Sequence, residues 1–307
     1  MMSNYHAPVM PVEVEAFLCP TANKIIMDGT VGGGGHTEIF LRGGAEVIAF
    51  DRDPDALAHC EERFTAYQNR LTLVQSNFCE APRELDKLNV EKLDGVLLDL
   101  GISSHQIDTS ERGFSFQKDG PLDMRMNQQG EEVSAAILVN TASEEELERI
   151  FHVYGNEPRA ARIARGLVAR RAEKPFFHTG DLATTVEKLA PRTSAKHPAT
   201  RVFQALRIAV NDEMVSLVQG LERISSRLAS GAPLAVISFH STEDRIVKRF
   251  FREHSTAWID RPEWPEPRRN PDCIFKILTP KPIEASAPEV LSNPRARSAK
   301  LRVASRL

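Results

Sequence analysis

Ile25-Ile-Met-Asp28-Gly29-Thr30-Val31-Gly32-Gly33-Gly34-Gly35-His36-Thr37 is the stretch whose reading decides the fold. Three apolar residues run into an acid, five glycines follow within residues 29–35, and Thr37 opens an apolar stretch with Ile39, Phe40 and Leu41. That order predicts a strand, a tight turn and a helix start. Glycines in such a turn allow positive φ and let a ligand come close to the main chain, where the first helical N–H groups point outward. The turn is therefore expected to hold something bound.

The ligand class follows from what this turn lacks. A dinucleotide turn reads G-x-G-x-x-G and offers its helix end to a pyrophosphate. Here Gly32 and Gly34 are followed by Thr37 where the third glycine belongs, and Asp28, expected at the mouth of the loop, repels a pyrophosphate at close range. An acid there suits a cation. S-Adenosylmethionine carries a sulfonium and an ammonium and no phosphate, so D-x-x-x-G-x-G fits it better than NAD.

Working outward, the same strand-then-acid pattern recurs. Glu46-Val-Ile-Ala-Phe-Asp51 is a second predicted strand, and Asp51 stands where a ribose-binding acid belongs in a nucleotide-type βαβ unit. Asp53 and Pro54 read as the N-cap and first residue of the next helix. Leu71–Gln75 and Leu93–Asp99 are third and fourth strands, so strand ends are expected at Asp28, Asp51, Asn77 and Asp99. Successive β-α units of a parallel sheet have this spacing, and ligands bind beyond the carboxyl ends of such strands.

Gly101–Arg125 is polar and aperiodic yet carries Phe114, Phe116 and Met124, and is read as an active-site segment. Residues 132–213 read as helices: Ser143 caps one that buries Leu147, Ile150, Phe151 and Tyr154, and the next sets Arg159, Arg162 and Arg165 at threefold spacing, with Arg170 and Arg171 beyond. Pro191–Arg201, including Lys196, is read as a basic, Pro-bounded loop with no opposing acid, and Arg207 follows. The sheet pattern returns at Leu234–Ser238. Ser241 or Thr242 is expected to cap the helix after it, Trp258–Asp272 to be irregular, and Ile274–Leu278 and Lys300–Ala304 to be the last strands. Arg295 and Arg297 lie in a compact basic run before the last one. A helical block, 108–209, thus interrupts one α/β domain made of 1–107 and 210–307.

Composition narrows the classes. At 307 residues with 41% hydrophobic and 26% charged residues the chain reads as an ordinary globular protein of one large or two moderate cores. A net charge of −3 carries no global nucleic-acid signature, so RNA binding needs a local basic patch. No apolar run of membrane-spanning length and no signal-peptide core are present, and a cytoplasmic protein that does not bind membranes is expected. Cys19, Cys60, Cys79 and Cys273 have no C-x-x-C spacing, and no metal site is indicated.

Long motifs then align with a known family. His6-Ala-Pro-Val, Asp28-Gly-Thr, Asp51-Arg-Asp-Pro, Asp99-Leu-Gly-Ile-Ser-Ser, Glu111-Arg-Gly-Phe-Ser-Phe, Asp119-Gly-Pro-Leu-Asp-Met-Arg-Met126, His197-Pro-Ala-Thr-Arg and Asn293-Pro-Arg-Ala-Arg-Ser together resemble the bacterial RsmH (MraW) family. That resemblance covers nearly the whole chain. It implies a class I (Rossmann-like) S-adenosylmethionine-dependent methyltransferase sheet with an inserted all-helical subdomain, acting on the N4 amine of a cytidine in the decoding centre of 16S ribosomal RNA in the small subunit. By resemblance, cofactor contacts carry over to Gly34, Gly35, His36, Asp51, Phe78, Asp99 and Gln106, with Asp28 and Gly32 added from the loop itself. Asp99 is expected to accept from the amine, with Ser103 or His240 as helpers and Phe114, Phe116 or Phe239 stacking on the base. Arg159, Arg162, Arg165, Lys196, Arg201, Arg295 and Arg297 are expected to meet RNA. A binding-only RNA or ribosome-assembly protein that retains the cofactor pocket is the competing reading, and a homodimer is left open.

Overall fold

The structure, a computed structural model, describes residues 7–192, 197–260 and 262–307. The chain forms two compact units, Met1–Gly101 with Val215–Leu307 and Ile102–Met214.

In the first unit, strands β1 (Ile25–Asp28), β2 (Glu46–Asp51), β3 (Leu71–Gln75), β4 (Gly95–Asp99) and β5 (Pro233–Ser238) are parallel. A two-stranded ribbon, β6 (Trp258–Ile259) with β7 (Arg268–Arg269), stands apart, and β8 (Phe275–Ile277), β9 (Ile283–Glu284) and β10 (Lys300–Arg306) complete the sheet. Its order is β3-β2-β1-β4-β5-β10-β8, with β9 also pairing to β10. β10 runs antiparallel to β5. This is the class I (Rossmann-like) arrangement, whose order reverses between β1 and β4 and opens a crevice at the strand ends.

Alternation along the strands sends side chains to two cores. Met27, Ile48, Phe50, Val96, Leu98 and Val236 face one side. There they meet helices α4 (Ala81–Lys87), α11 (Glu213–Ser225) and α12 (Ser241–Glu253) through Leu85, Leu221 and Phe251. Ile26, Val47, Ala49, Leu97 and Ile237 face the other side. They meet α1 (Pro11–Leu18), α2 (Gly35–Arg42) and α3 (Pro54–Arg63) through Leu18, Phe40 and Cys60. A sheet covered on both faces needs such continuous apolar runs in its central strands.

The second unit holds α5 (Ser104–Asp108), α6 (Ala135–Thr141), α7 (Glu144–Val153), α8 (Ala160–Glu173), α9 (Thr179–Leu189) and α10 (Ala199–Val210) around its own core. Val139, Phe151, Leu167, Val186 and Leu206 meet there. α13 (Ala287–Ser292) belongs to the first unit. Residues 102–107 and 210–214, expected with the sheet, fall in the helical unit instead. Ile102 packs on that unit's core, and the Asn211 side chain accepts from the Met126 N–H and donates to the Met124 carbonyl, at 2.8 Å each.

Two further expectations change. The 101–125 segment contains α5 and a 3₁₀ turn at Ser110–Arg112, and Phe114 and Met124 are core residues. His240, not Ser241 or Thr242, caps α12: its Nδ1 accepts from the Glu243 N–H, while Glu243 Oε2 accepts from the N–H groups of Phe239 and His240. An imidazole nitrogen thus takes the role a hydroxyl ordinarily fills.

Candidate active site

Asp28, Asp51 and Asp99 end β1, β2 and β4, as the strand pattern predicts. β3 stops at Gln75, and Asn77 instead caps a 3₁₀ turn, Phe78–Glu80.

Asp28 does not stand at the mouth of the loop. It is 1% exposed, with Oδ1 accepting from the Thr30 N–H at 3.2 Å and Oδ2 from the Thr37 hydroxyl at 2.7 Å. It therefore ties the beginning of the loop to the first turn of α2 from beneath. Burial raises its pKa, an effect opposed by His36 and its hydrogen bonds and reinforced by Asp99.

Asp51 braces the glycines from the next strand. Its Oδ2 accepts from the Gly32 N–H and its Oδ1 from the Asp53 N–H, both at 2.9 Å. Desolvation pushes its pKa up to about 6, against the pull of those two backbone donors. Each carboxylate oxygen has a second lone pair beyond the one these donors take.

Gly32 and Gly34 adopt φ of 48° and 78°, in the left-handed region. Gly34 is also hemmed in, since a Cβ there would lie 2.5 Å from Phe64 Cε2, and one on Gly35 would lie 2.9 Å from Pro8 Cδ. The loop has no room for side chains on these two residues.

Asp99 is partly buried, and its N–H donates to the Thr30 hydroxyl at 2.8 Å. Its Oδ2 lies 3.4 Å from His36 Nε2. Asp99 Oδ1 is buried with no hydrogen-bond partner among the described residues, and the same holds for His36 Nδ1. Phe78 is half-buried, its ring beside Gly220 of α11, where a Cβ would come within 2.4 Å of Cε2. Gly220 thus makes room for the ring.

Ser103 and Gln106 fall in the helical unit, where they form a reciprocal cap of α5. The Ser103 hydroxyl accepts from the Gln106 N–H, and Gln106 Oε1 from the Ser103 N–H. His240 Nε2 lies 2.9 Å from Glu243 Oε1, off the line of a hydrogen bond, so both ring nitrogens face that glutamate. Capping is what the geometry gives both Ser103 and His240. Phe114 is buried, Phe116 packs on His197 and Phe203 with ring centroids 4.8 Å away, and Phe239 is half-buried.

The basic residues divide sharply. Arg170 pairs with both oxygens of Asp181, Arg171 donates to the Val139 carbonyl, Arg207 grips both oxygens of Glu213, and Arg302 holds Asp244. These four are structural. Acids do oppose basic residues where none was expected: Arg201, in the first turn of α10, lies 3.9 Å from Glu157, and His197 3.6 Å from Glu187. Arg162 and Arg297 are exposed, and Arg165 is 75% exposed with Glu144 at 3.4 Å. Arg159 donates to the Pro191 carbonyl. Arg295 is half-buried, and Lys196 lies outside the described residues.

Thr30 and Thr37 are site residues that sequence reasoning missed. The only signal was their place in D-x-T and at the helix start, one hydroxyl holding Asp99 and the other Asp28.

Comparison with known proteins identifies the family. The "Ribosomal RNA small subunit methyltransferase H" of Magnetococcus marinus is 46% identical over 316 residues, covering 100% of both chains. The protein of the same name from Agrobacterium fabrum is 49% identical over 299 residues, covering 97% of this chain and 86% of its own length. That of Syntrophotalea carbinolica is 47% identical over 308 residues and 98% of each chain. The family model described as the MraW methylase family matches residues 3–307, and the chain belongs to that family.

Proposed function

We propose that this protein transfers a methyl group from S-adenosylmethionine to the exocyclic N4 amine of a cytidine in the decoding centre of 16S ribosomal RNA. The relatives' name supplies the substrate class, the small-subunit ribosomal RNA. The observation that carries the chemistry is Asp99: a carboxylate oxygen at the end of β4, buried and without a hydrogen-bond partner among the described residues.

The loop fits the cofactor. Two carboxylates, Asp51 and Asp99, end the strands on either side of β1, a field that opposes a polyphosphate and favours a cationic ligand. Asp51, with a lone pair left on each oxygen, suits the two vicinal hydroxyls of a ribose, and Phe78 offers an apolar face for adenine. When bound, S-adenosylmethionine supplies a methyl group activated by its sulfonium.

The amine of cytosine is a poor nucleophile because its lone pair is delocalised into the ring. Asp99 Oδ1 accepts an N–H from it, which favours a pyramidal nitrogen with its lone pair free, and then takes up the proton that leaves. His36 Nε2 lies 3.4 Å from the other oxygen of that carboxylate. Ser103 and His240, engaged as caps, are left out of the proton path. Phe239 directly follows β5 in the first unit and is half-buried, which suits it to stack on a base.

Asp51 gives the cofactor site a pH dependence. Its folded pKa, about 6, is raised above the ordinary 3.8 of an aspartate, so the free protein's stability from this group is fully present below 3.8 and is lost as pH rises through 6. Only the ionised form offers both oxygens as acceptors to the two ribose hydroxyls. Affinity for S-adenosylhomocysteine, measured by calorimetry, should be flat above neutrality and fall below pH 6 by up to about tenfold per unit. Asp51→Asn should bind weakly with no such dependence.

Arg162 and Arg165, exposed on α8, are the best-placed phosphate contacts of the helical unit. In the double variant Arg162→Gln/Arg165→Gln, RNA binding should weaken, and the slope of log K against log salt should become shallower by about 1 to 2. Affinity for S-adenosylhomocysteine should stay unchanged; a parallel loss of both would point to misfolding. The functional reading itself is tested by incubating the protein with radiolabelled S-adenosylmethionine and small subunits lacking the modification. Label in the RNA supports it, and cofactor binding without any transfer would favour a binding-only protein.

A further inference from the structure

The outer side of the glycine loop is gripped by the end of α3. Cys60, Arg63 and Phe64 stand at i, i+3 and i+4, so they share one face of the helix and its C-cap. Each meets a different glycine. Cys60 Sγ donates to the Gly32 carbonyl at 3.5 Å, the Arg63 guanidinium donates to the Gly33 carbonyl, and the Phe64 ring fills the space where a Gly34 side chain would lie. Arg63 also pairs with Glu38 of α2 and lies over the Phe64 ring, its Cζ 5.1 Å from the centroid. One side chain thereby joins the loop, the helix that follows the loop and the helix beneath it.

We infer that Arg63 is a positioning residue for cofactor binding, a latch that holds the loop in its bound shape. This rests on the cofactor reading given above. The inner side of the loop is set by Asp28 and Asp51, which take the N–H groups of Thr30 and Gly32. The carbonyls of Gly32 and Gly33 turn the opposite way, to α3. Glycines leave the backbone free to populate many conformations, and a loop so rich in them needs restraint from both sides to be preorganised. Arg63 supplies a side-chain donor to the Gly33 carbonyl. A planar guanidinium can serve that carbonyl and the Glu38 carboxylate together, which an ammonium on a flexible stem does less well.

The test is calorimetric binding of S-adenosylhomocysteine to the full chain and to Arg63→Ala and Arg63→Lys, with thermal unfolding of each free protein and methyl-transfer kinetics at varied cofactor. Arg63→Ala should bind about tenfold more weakly, the scale of one charge-assisted hydrogen bond. Its KM for the cofactor should rise in step, with kcat at saturation and the free protein's Tm nearly unchanged, and Arg63→Lys should recover part of the affinity. Hydrogen exchange in the 29–38 segment of Arg63→Ala should quicken. Wild-type binding retained by Arg63→Ala overturns the latch, as does a parallel fall of Tm, kcat and affinity, which is the mark of a general structural role. Failure of the unaltered protein to bind S-adenosylhomocysteine overturns the cofactor reading and the latch with it.

Discussion

Asp99→Asn should lower kcat for methyl transfer by about a hundredfold or more at saturating cofactor, the scale of losing a positioned proton acceptor. The substitution keeps the shape of the side chain and leaves the Asp99 N–H on the Thr30 hydroxyl, so the end of β4 stays where it is. What disappears is the charge beside His36 and the ability to take a proton from the amine. Affinity for S-adenosylhomocysteine should change by less than about tenfold, because Asp51 and the loop remain intact. Single-turnover transfer and calorimetry on the same preparation separate the two effects. Full turnover in this variant would remove Asp99 from the chemistry.

Gly34→Ala should cost the other large effect, loss of cofactor binding together with stability. The residue has φ of 78°, and its Cβ would lie 2.5 Å from Phe64 Cε2 and 3.1 Å from Cys60 Sγ. A left-handed backbone costs an L-residue about 1–2 kcal/mol, and overpacking against a buried ring adds about as much again. Phe64 is 3% exposed and cannot swing out cheaply. Gly231→Ala is the internal comparison, since its φ is 84° and nothing lies within 4 Å of the added carbon. Gly231→Ala should show the backbone penalty alone. Thermal unfolding of both variants should therefore put Gly34→Ala lower, and equal midpoints would show that Phe64 yields.

The sheet was legible because its information is local. Ile25–Asp28 and Glu46–Asp51 announce themselves as apolar runs ending in an acid, and both strands end where that pattern stops. The helical unit was legible too, as in α7, where Ser143 accepts from the Glu146 N–H and Leu147, Ile150 and Phe151 are buried.

What escaped depended on partners far away in the chain. The strap between Gly101 and Met126 has no period because remote side chains satisfy its backbone: Asn211 serves Met124 and Met126, and the Thr179 hydroxyl accepts from Gly120. Asp119, singled out with this segment, accepts from the Gly180 N–H, the main reason its pKa is lowered. Charge without its partner misled in the same way. Arg207 reads as a continuation of a basic stretch, yet Glu213 engages it. The glycine loop was visible as a loop, whereas the face of α3 that shapes it was not, since Cys60, Arg63 and Phe64 look like any helix end until they meet Gly32, Gly33 and Gly34.

The central claim is the atom that receives the methyl group. Small subunits from a strain lacking this modification, incubated with the protein and isotopically labelled S-adenosylmethionine, can be digested to nucleosides and resolved by chromatography with mass spectrometry. The account predicts label in N4-methylcytidine, at one site in 16S ribosomal RNA, with the signal lost in Asp99→Asn. Label in 5-methylcytidine, in a ribose-methylated nucleoside or in another base would contradict it.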